Sequence, residues 1–108
     1  MSIIKILLVC SAGMSTSLLV EKMKKAALEM KIEAEIWAIG SSSLDAELNT
    51  KDVDVVLVGP QMRYELARIQ ERASHYNIKA EGIDMQDYGL CRAEKVLGQA
   101  LQLIPLHK

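Results

Sequence analysis

Residues 3–17 of the chain read IIKILLVCSAGMSTS, an apolar run that passes directly into a series of small and hydroxyl-bearing residues. Ile3–Val9 is apolar apart from Lys5, and Val53–Val58 is apolar apart from Asp54. Short runs of this kind are typical of strands buried on both faces, which occur at the centre of parallel sheets. Both stretches are therefore predicted to be central strands.

Two further stretches predict strands at the edges of the sheet. Residues 32–39 alternate between small or branched apolar residues and a second series that includes two glutamates. One face of this strand is therefore more polar, as is typical of a strand at a sheet edge. Residues 78–83 have a weaker pattern of the same kind. We expect four strands, of which the first and third in sequence are central.

Three amphipathic helices are predicted from apolar residues that recur at helical spacing. Pro60 precedes the second helix, at a position where a helix tolerates proline. A fourth, short helix at Leu44–Leu48 has a weaker pattern. The three stripes are Leu19, Met23, Ala26, Ala27 and Met30; Met62, Leu66, Ile69 and Ala73; and Leu90, Ala93, Leu97, Ala100, Leu101 and Ile104.

The order of elements is β-α-β-(α)-β-α-β-α, which predicts a doubly wound α/β fold with helices on both faces of a four-stranded parallel sheet. Right-handed crossovers, with the two buried strands central, give the strand order 2-1-3-4, a flavodoxin-like arrangement. Ligands of such folds bind at the carboxyl ends of the strands where the connections diverge, here strands 1 and 3. The fold therefore brings Cys10–Ser17 and Gly59–Gln61 to one crevice.

Composition limits the possible functions. The 108 residues are 50% hydrophobic and 25% charged, which predicts one folded domain spanning residues 1–108 rather than a disordered chain. With 13 basic and 14 acidic residues, 4% aromatics and no Phe, the chain lacks the basic field and stacking surface of a nucleic-acid binder. We find no signal peptide and no apolar run near the ~20 residues of a membrane span, so we expect a cytoplasmic protein.

Cys10 and the seven residues after it suggest a phosphate-binding site. Small residues let the backbone curl so that amide N–H groups and the start of a helix face inward, which attracts a dianion. The same positive potential favours the thiolate of Cys10, a candidate nucleophile for phosphoryl transfer. These residues also allow a simpler interpretation, a buried cysteine followed by a capped helix. The expected phosphate-binding residues are Ser11, Ala12, Gly13, Met14, Ser15, Thr16 and Ser17, the last three also being candidate N-caps.

A low-molecular-weight, cysteine-dependent phosphatase or an arsenate reductase relative is the main alternative. Its loop reads Cys-x5-Arg, in which the arginine holds phosphate by two hydrogen bonds. Here that position is Thr16, and residues 10–17 contain neither Arg nor Lys. The Asp-Pro pair that often supplies a general acid is also absent. A phosphoryl group that is accepted and passed on fits better than one that is hydrolysed. A non-catalytic module that senses an anion is a third possibility.

Three motifs resemble one bacterial family. Leu7–Leu19, Val56–Gln61 and Tyr88-Gly89 are similar to the IIB component of the sugar phosphotransferase system, of the lactose/cellobiose/diacetylchitobiose class. The resemblance implies that Cys10 accepts a phosphoryl group from a phosphohistidine of the IIA protein. It would pass the group to a sugar bound by the membrane permease IIC, at the inner face of the membrane. This is the activity of a protein-phosphocysteine–sugar phosphotransferase, and we expect a β-linked disaccharide such as cellobiose or diacetylchitobiose.

Two large partners would visit the same sulfur in turn, so we expect a shallow, open crevice. Neither a metal nor an organic cofactor is implied, and we expect a monomer. Cys91 is predicted to be half-buried in the last helix, and His75 to close the second helix. The expected rim of the crevice, available for partner contacts, is Met14, Gly59, Pro60, Gln61, Tyr64 and Tyr88.

Overall fold

The computed structural model describes residues 3–10 and 13–104, with residues 13–17 described in backbone only. Four strands alternate with five helices along this part of the chain. Short 3-10 segments at Ser41–Ser43 and Pro60–Glu65 lead into the second and third helices. The elements are β1 (Ile4–Cys10), α1 (Gly13–Glu29), β2 (Ala34–Gly40), α2 (Leu44–Thr50), β3 (Val55–Val58), α3 (Leu66–Ser74), β4 (Lys79–Gly82), α4 (Met85–Gly89) and α5 (Ala93–Leu103).

The four strands form one parallel sheet of order β2-β1-β3-β4, which confirms the predicted fold class and strand order. At the carboxyl end of β1, Val9 pairs with Ile39 on one side and with Val58 on the other. Cys10 pairs with Gly40, the last residue of β2. The two strands with near-continuous apolar runs are the central ones, because both of their faces are covered by helices.

Helices cover both faces of the sheet and divide the core into two clusters. Alternate residues of each strand point to opposite faces, so β1 contributes to both. On one face α1 and α5 cover a cluster that includes Ile6, Leu8, Met23, Ile36, Leu57 and Leu97. On the other face α2 and α3 cover a cluster that includes Leu7, Val9, Leu44, Val56, Val58 and Ile69.

The end of α1 is set by a left-handed residue. Lys31 has φ of 60° and is exposed. Its N–H donates to the Leu28 carbonyl at 3.1 Å, and the N–H of Ile32 donates to the Ala27 carbonyl at 2.8 Å. This is the Schellman pattern, which satisfies carbonyls left open at a helix end. Met30, which the sequence places on the apolar stripe of this helix, lies beyond its end and is exposed.

The edge strand β2 is tied to α2 through its single tryptophan. The indole N–H of Trp37 donates to Glu47 Oε2 at 2.7 Å, and Lys51 Nζ lies 5.6 Å from the centre of the ring. Lys51 also lies 3.8 Å from Glu47 Oε2. Trp37 is half-buried, so these contacts cover the more polar face of the strand at the sheet edge.

The predicted start of the last helix is wrong. Leu90, the first residue of the predicted apolar stripe of this helix, follows α4, which ends at Gly89, and α5 begins only at Ala93. Between these helices Cys91 has φ of 55°, a left-handed conformation that interrupts the helical backbone. Leu90, predicted on the apolar stripe, is 63% exposed. Cys91 therefore lies between two helices, although its predicted half-burial is confirmed.

Met62 also lies outside its predicted helix, because it belongs to the 3-10 segment that precedes α3, although it is buried as expected.

Within residues 3–10 and 13–104, no helix has both the length and the apolar character needed to cross a bilayer.

Candidate functional site

The candidate nucleophile lies at the carboxyl edge of the sheet, by which we mean the side where the carboxyl ends of the four parallel strands meet. Cys10 ends β1, the strand between β2 and β3, and only 2% of its surface is exposed. Its thiol donates to the Ile39 carbonyl of β2, with Sγ 3.7 Å from the oxygen. The thiol itself is therefore covered, in contrast to the open crevice expected from the sequence.

The amino terminus of α1 follows Cys10 closely, because this 17-residue helix begins at Gly13. The first N–H groups of a helix have no partner within it, and together with the helix dipole they attract an anion. Ser11 and Ala12 of the expected phosphate loop lie outside the described residues. Ser15, Thr16 and Ser17 lie inside the helix rather than before it, so their predicted N-cap role is wrong.

The second predicted segment, residues 59–61, lies on the β3 side of the edge. The N–H of Gly59 donates to the Val9 carbonyl at 2.9 Å, which extends the β1–β3 ladder past the last paired residues. The Gly59 carbonyl accepts from the N–H of Met62 at 2.9 Å and so starts the 3-10 segment. Gly59 is buried and Pro60 half-buried. The topology therefore places Gly59 next to Cys10, as the sequence predicted.

Two residues of the expected rim contact each other. The side-chain amide of Gln61 donates to the phenol oxygen of Tyr88, with Nε2 3.1 Å from Oη. Tyr88 is half-buried and packs against the core cluster under α1 and α5. The contact joins the segment after β3 to the short helix after β4.

The position of α4 is set by its N-cap. The carboxylate of Asp84 accepts from the N–H groups of Gln86 at 2.9 Å and Asp87 at 3.1 Å. The preceding residue, Ile83, donates its N–H to the Val58 carbonyl at 2.8 Å. These bonds hold α4 against the carboxyl end of β3 and place Tyr88 within reach of Gln61. The capping role of Asp84 was not predicted from sequence, although an aspartate just before a short helix is a typical N-cap.

Tyr64, another predicted rim residue, points outward. It is 79% exposed, and its hydroxyl lies 3.9 Å from Met62 Sδ. Met85 and Leu18 are also exposed near this edge, at the start of α4 and in α1, and were not identified from sequence. Exposed apolar residues were not expected there, because the helical stripes predict only core positions. Met14 lies in the first turn of α1, and its side chain is not described.

Gly40 is the main site-adjacent residue that sequence reasoning missed. It ends β2 and pairs with Cys10 in the β1–β2 register. The signal that could have identified it is the parallel register, since the end of β2 must lie beside the end of β1.

The remaining candidates from the sequence are His75 and Cys91. His75 caps the carboxyl end of α3, at the opposite edge of the parallel sheet, and is exposed. Its predicted role as a helix cap is confirmed, because its N–H donates to the Arg72 carbonyl at 3.2 Å. Cys91 has a free thiol and packs beside the α1–α5 cluster.

Comparison with known proteins gives one consistent result. The family model described as the lactose/cellobiose-specific IIB subunit of the PTS system matches residues 5–99. An oligo-β-mannoside-specific EIIB component of Bacillus subtilis is 49% identical, over 93% of this chain and 95% of its own length. Galactose- and cellobiose-specific EIIB components of Lactococcus lactis are 41% and 40% identical, each over 92% of this chain and 94% of their own lengths.

Solved structures are similar over the same extent. A cellobiose-specific IIB component from Borrelia burgdorferi is 40% identical and superposes with a TM-score of 0.78, covering 95% of this chain and 93% of its own. A lactose-specific IIB domain from Streptococcus pneumoniae has a TM-score of 0.80 at 16% identity, covering 94% and 98%, and shows the fold alone.

Proposed function

Since this chain belongs to the family of lactose/cellobiose-specific IIB subunits of the phosphotransferase system, we propose that its thiol at Cys10 carries the phosphoryl group. Family membership makes the chain a phosphotransferase component of a sugar-specific system. The carrier residue, the donor, the acceptor and the sugar are the parts of the function that we propose.

The observation that carries the proposal is the position of Cys10. The residue ends the central strand β1, and α1 begins three positions later. In phosphoryl transfer, charge spreads over the three equatorial oxygens of the group in flight. Unpaired N–H groups at the start of a helix can stabilise this charge without rearranging. We expect the backbone of residues 11–17 to supply most of these donors.

The chemistry requires two displacements at phosphorus. In the first, the sulfur of Cys10 forms an S–P bond while the N–P bond of a phosphohistidine on the IIA protein breaks, and the thiol proton passes to the freed imidazole nitrogen. In the second, a hydroxyl of the sugar forms an O–P bond while the S–P bond breaks, and the hydroxyl proton restores the thiol. The two steps together return Cys10 to its starting state, so the residue acts as a covalent nucleophile.

The residues around the thiol suit a carrier better than a hydrolase. Residues 10–17 contain no Arg that would hold phosphate in the manner of a cysteine-dependent phosphatase.

We propose that the IIA protein and the IIC permease dock on the same edge of the sheet. Exposed Tyr64 and Met85, together with Pro60, are the expected contacts. We further propose that residues 1–108 act as one monomeric domain on the cytoplasmic side of the membrane. Sedimentation of a stable dimer at micromolar concentration would contradict the monomer.

For the sugar we propose a β-linked disaccharide. Two of the relatives are named for oligo-β-mannoside and cellobiose, and a third is named for galactose. Within such a system the permease chooses the sugar, so the choice is not expected to depend on residues of this chain.

The test is sugar phosphorylation in a reconstituted system. Phosphoenolpyruvate, enzyme I, HPr, a IIA protein of this class and vesicles containing the permease would be combined with wild type, Cys10→Ser or Cys91→Ser. We expect wild type and Cys91→Ser to form sugar phosphate from cellobiose or diacetylchitobiose, and Cys10→Ser to form none. Activity in Cys10→Ser would refute the carrier role. Turnover of p-nitrophenyl phosphate that depends on Cys10 would instead support a phosphatase.

A further inference from the structure

Glycines lie on both sides of the candidate nucleophile. Cys10 pairs with Gly40 of β2, and Val9 pairs with Val58, so the next residue of the β3 side, Gly59, lies beside Cys10. Neighbouring strands are about 4.8 Å apart, and residues side by side in parallel strands direct their side chains to the same face. The two residues nearest the thiol in the sheet therefore carry no side chain of their own.

The backbone does not require glycine at either position. Gly40 has φ −79° and ψ 157°, and Gly59 has φ −61° and ψ 151°. Both conformations are extended and open to any L-residue. What the two glycines have in common is the space beside Cys10, and a buried thiol needs such space to carry a phosphoryl group.

The space on the β3 side is taken by a side chain from elsewhere. A Cβ added to Gly59 would lie 2.7 Å from Gln61 Oε1. The Gln61 carboxamide thus stands where a side chain at 59 would stand, on the face that carries the Cys10 thiol. The thiol leans the other way, toward the Ile39 carbonyl of β2. The carboxamide is held there by its hydrogen bond to Tyr88.

We infer that the Gln61 carboxamide donates a hydrogen bond to the phosphoryl group on Cys10, with Tyr88 as the residue that positions it. The inference rests on the proposed carrier function of Cys10. Gln61 Nε2 has two N–H groups, and Tyr88 accepts from it; no other residue of the described part of the chain does so. The second N–H is free to donate to an equatorial oxygen of the phosphoryl group.

A neutral donor suits a group that must be released. An amide N–H stabilises the charge on the phosphoryl oxygens during both displacements, and it neither gains nor loses a proton. A fixed cation at this place would bind the phosphoryl dianion more strongly and slow its departure. Gln61 would therefore lower the barrier in both directions of transfer.

Gln61→Glu is the main test, because it keeps the size of the side chain while replacing the donor with a carboxylate that repels the dianion. The rate of phosphoryl acceptance from the phosphorylated IIA protein should fall about 10- to 100-fold. Gln102→Glu makes the same change of charge at an exposed position of α5 that is not part of the candidate site, and should behave as wild type. Circular dichroism of both variants checks that the fold is retained.

Tyr88→Phe tests the positioning role, because it removes the oxygen that accepts from Gln61. Acceptance should slow several-fold. In wild type, ¹H–¹⁵N spectra should show the Gln61 side-chain amide signals shifting when the protein is phosphorylated. In Tyr88→Phe those signals should differ already before phosphorylation, while the melting temperature stays close to wild type. A merely structural role for Tyr88 would change the melting temperature without this spectral change.

The outcomes separate this inference from the carrier function. If wild type accepts a phosphoryl group and Gln61→Glu accepts it equally fast, the role of Gln61 is refuted and the carrier function stands. Gln61 amide signals that do not move on phosphorylation refute it in the same way. If wild type accepts no phosphoryl group at all, the carrier function fails and the inference fails with it.

Discussion

Replacing Gly59 with alanine should impair phosphoryl transfer while leaving stability almost unchanged. The backbone at this position accepts an L-residue without strain, as its φ of −61° shows. The added methyl would lie 2.7 Å from Gln61 Oε1 and 3.5 Å from the Val9 carbonyl. The second distance is an ordinary contact. The first forces the flexible Gln61 side chain to move and breaks its hydrogen bond to Tyr88.

Two opposing effects on the free energy of unfolding nearly cancel. Glycine to alanine at a compatible position stabilises by about 0.4–1 kcal/mol, because the unfolded chain loses conformational freedom. Loss of one exposed hydrogen bond between neutral groups destabilises by about 0.5–1.5 kcal/mol. The net change at Gly59 should stay within about 1 kcal/mol.

Gly98→Ala is the matched control. Gly98 lies inside α5, and an added Cβ meets no atom within 4 Å. Alanine is favoured over glycine in a helix interior by about 1 kcal/mol. A gain of this size raises the melting temperature by about 4–8 °C in a small domain. Gly98 is not part of the candidate site, so its variant should accept a phosphoryl group at the wild-type rate.

The assay combines thermal denaturation, followed by circular dichroism, with the rate at which each variant is phosphorylated by the IIA protein. Gly59→Ala should melt within a few degrees of wild type and react on the order of tenfold more slowly. Gly98→Ala should melt higher and react normally. A wild-type rate in Gly59→Ala would refute the reasoning, because the displaced carboxamide would then have no part in transfer.

Four further substitutions test the fold. Leu97→Ala creates a cavity at a fully buried position and should lower the free energy of unfolding by about 2–5 kcal/mol in urea denaturation. Leu90→Ala, at an exposed position, should change it by less than about 0.5 kcal/mol. Equal effects of the two substitutions would show that Leu90 is buried in the core. Lys31→Gly should raise stability by about 1 kcal/mol, because glycine adopts the left-handed conformation without penalty, and a loss would contradict the assigned helix end. Trp37→Phe removes the donor to Glu47 and should cost about 1–2 kcal/mol in the same assay; no change would show that this bond does not form in solution.

The strand order could be predicted because a strand that is buried on both faces has a nearly continuous run of apolar residues. Ile6–Val9 and Val55–Val58 are buried on both faces of the sheet, which leaves no place for polar residues in either run. The end of α1 and the break before α5 have no comparable pattern in the sequence. Lys31 and Cys91 adopt left-handed conformations that glycine usually takes, and the apolar spacing continues across the break as if one helix ran through it.

The only part of the site that could be predicted from sequence was the part that follows from the strand order of the sheet. Cys10 and Gly59–Gln61 were placed together because the carboxyl ends of neighbouring parallel strands meet. The bond between Gln61 and Tyr88 could not be derived in that way, since it depends on where α4 sits, and Asp84 sets that position through its side chain. The importance of Gly40 likewise follows from the register of β1 and β2 and not from its local sequence.

The most direct test of the central claim is the intact mass of the protein after incubation with phosphoenolpyruvate, enzyme I, HPr and a IIA protein of this class. Wild type and Cys91→Ser should each gain about 80 Da, the mass of one phosphoryl group, and Cys10→Ser should gain nothing. The added group should survive acid that removes phosphate from histidine. A gain of the same mass in Cys10→Ser, or no gain in wild type with an active IIA protein, would contradict the assignment of Cys10 as the phosphoryl carrier.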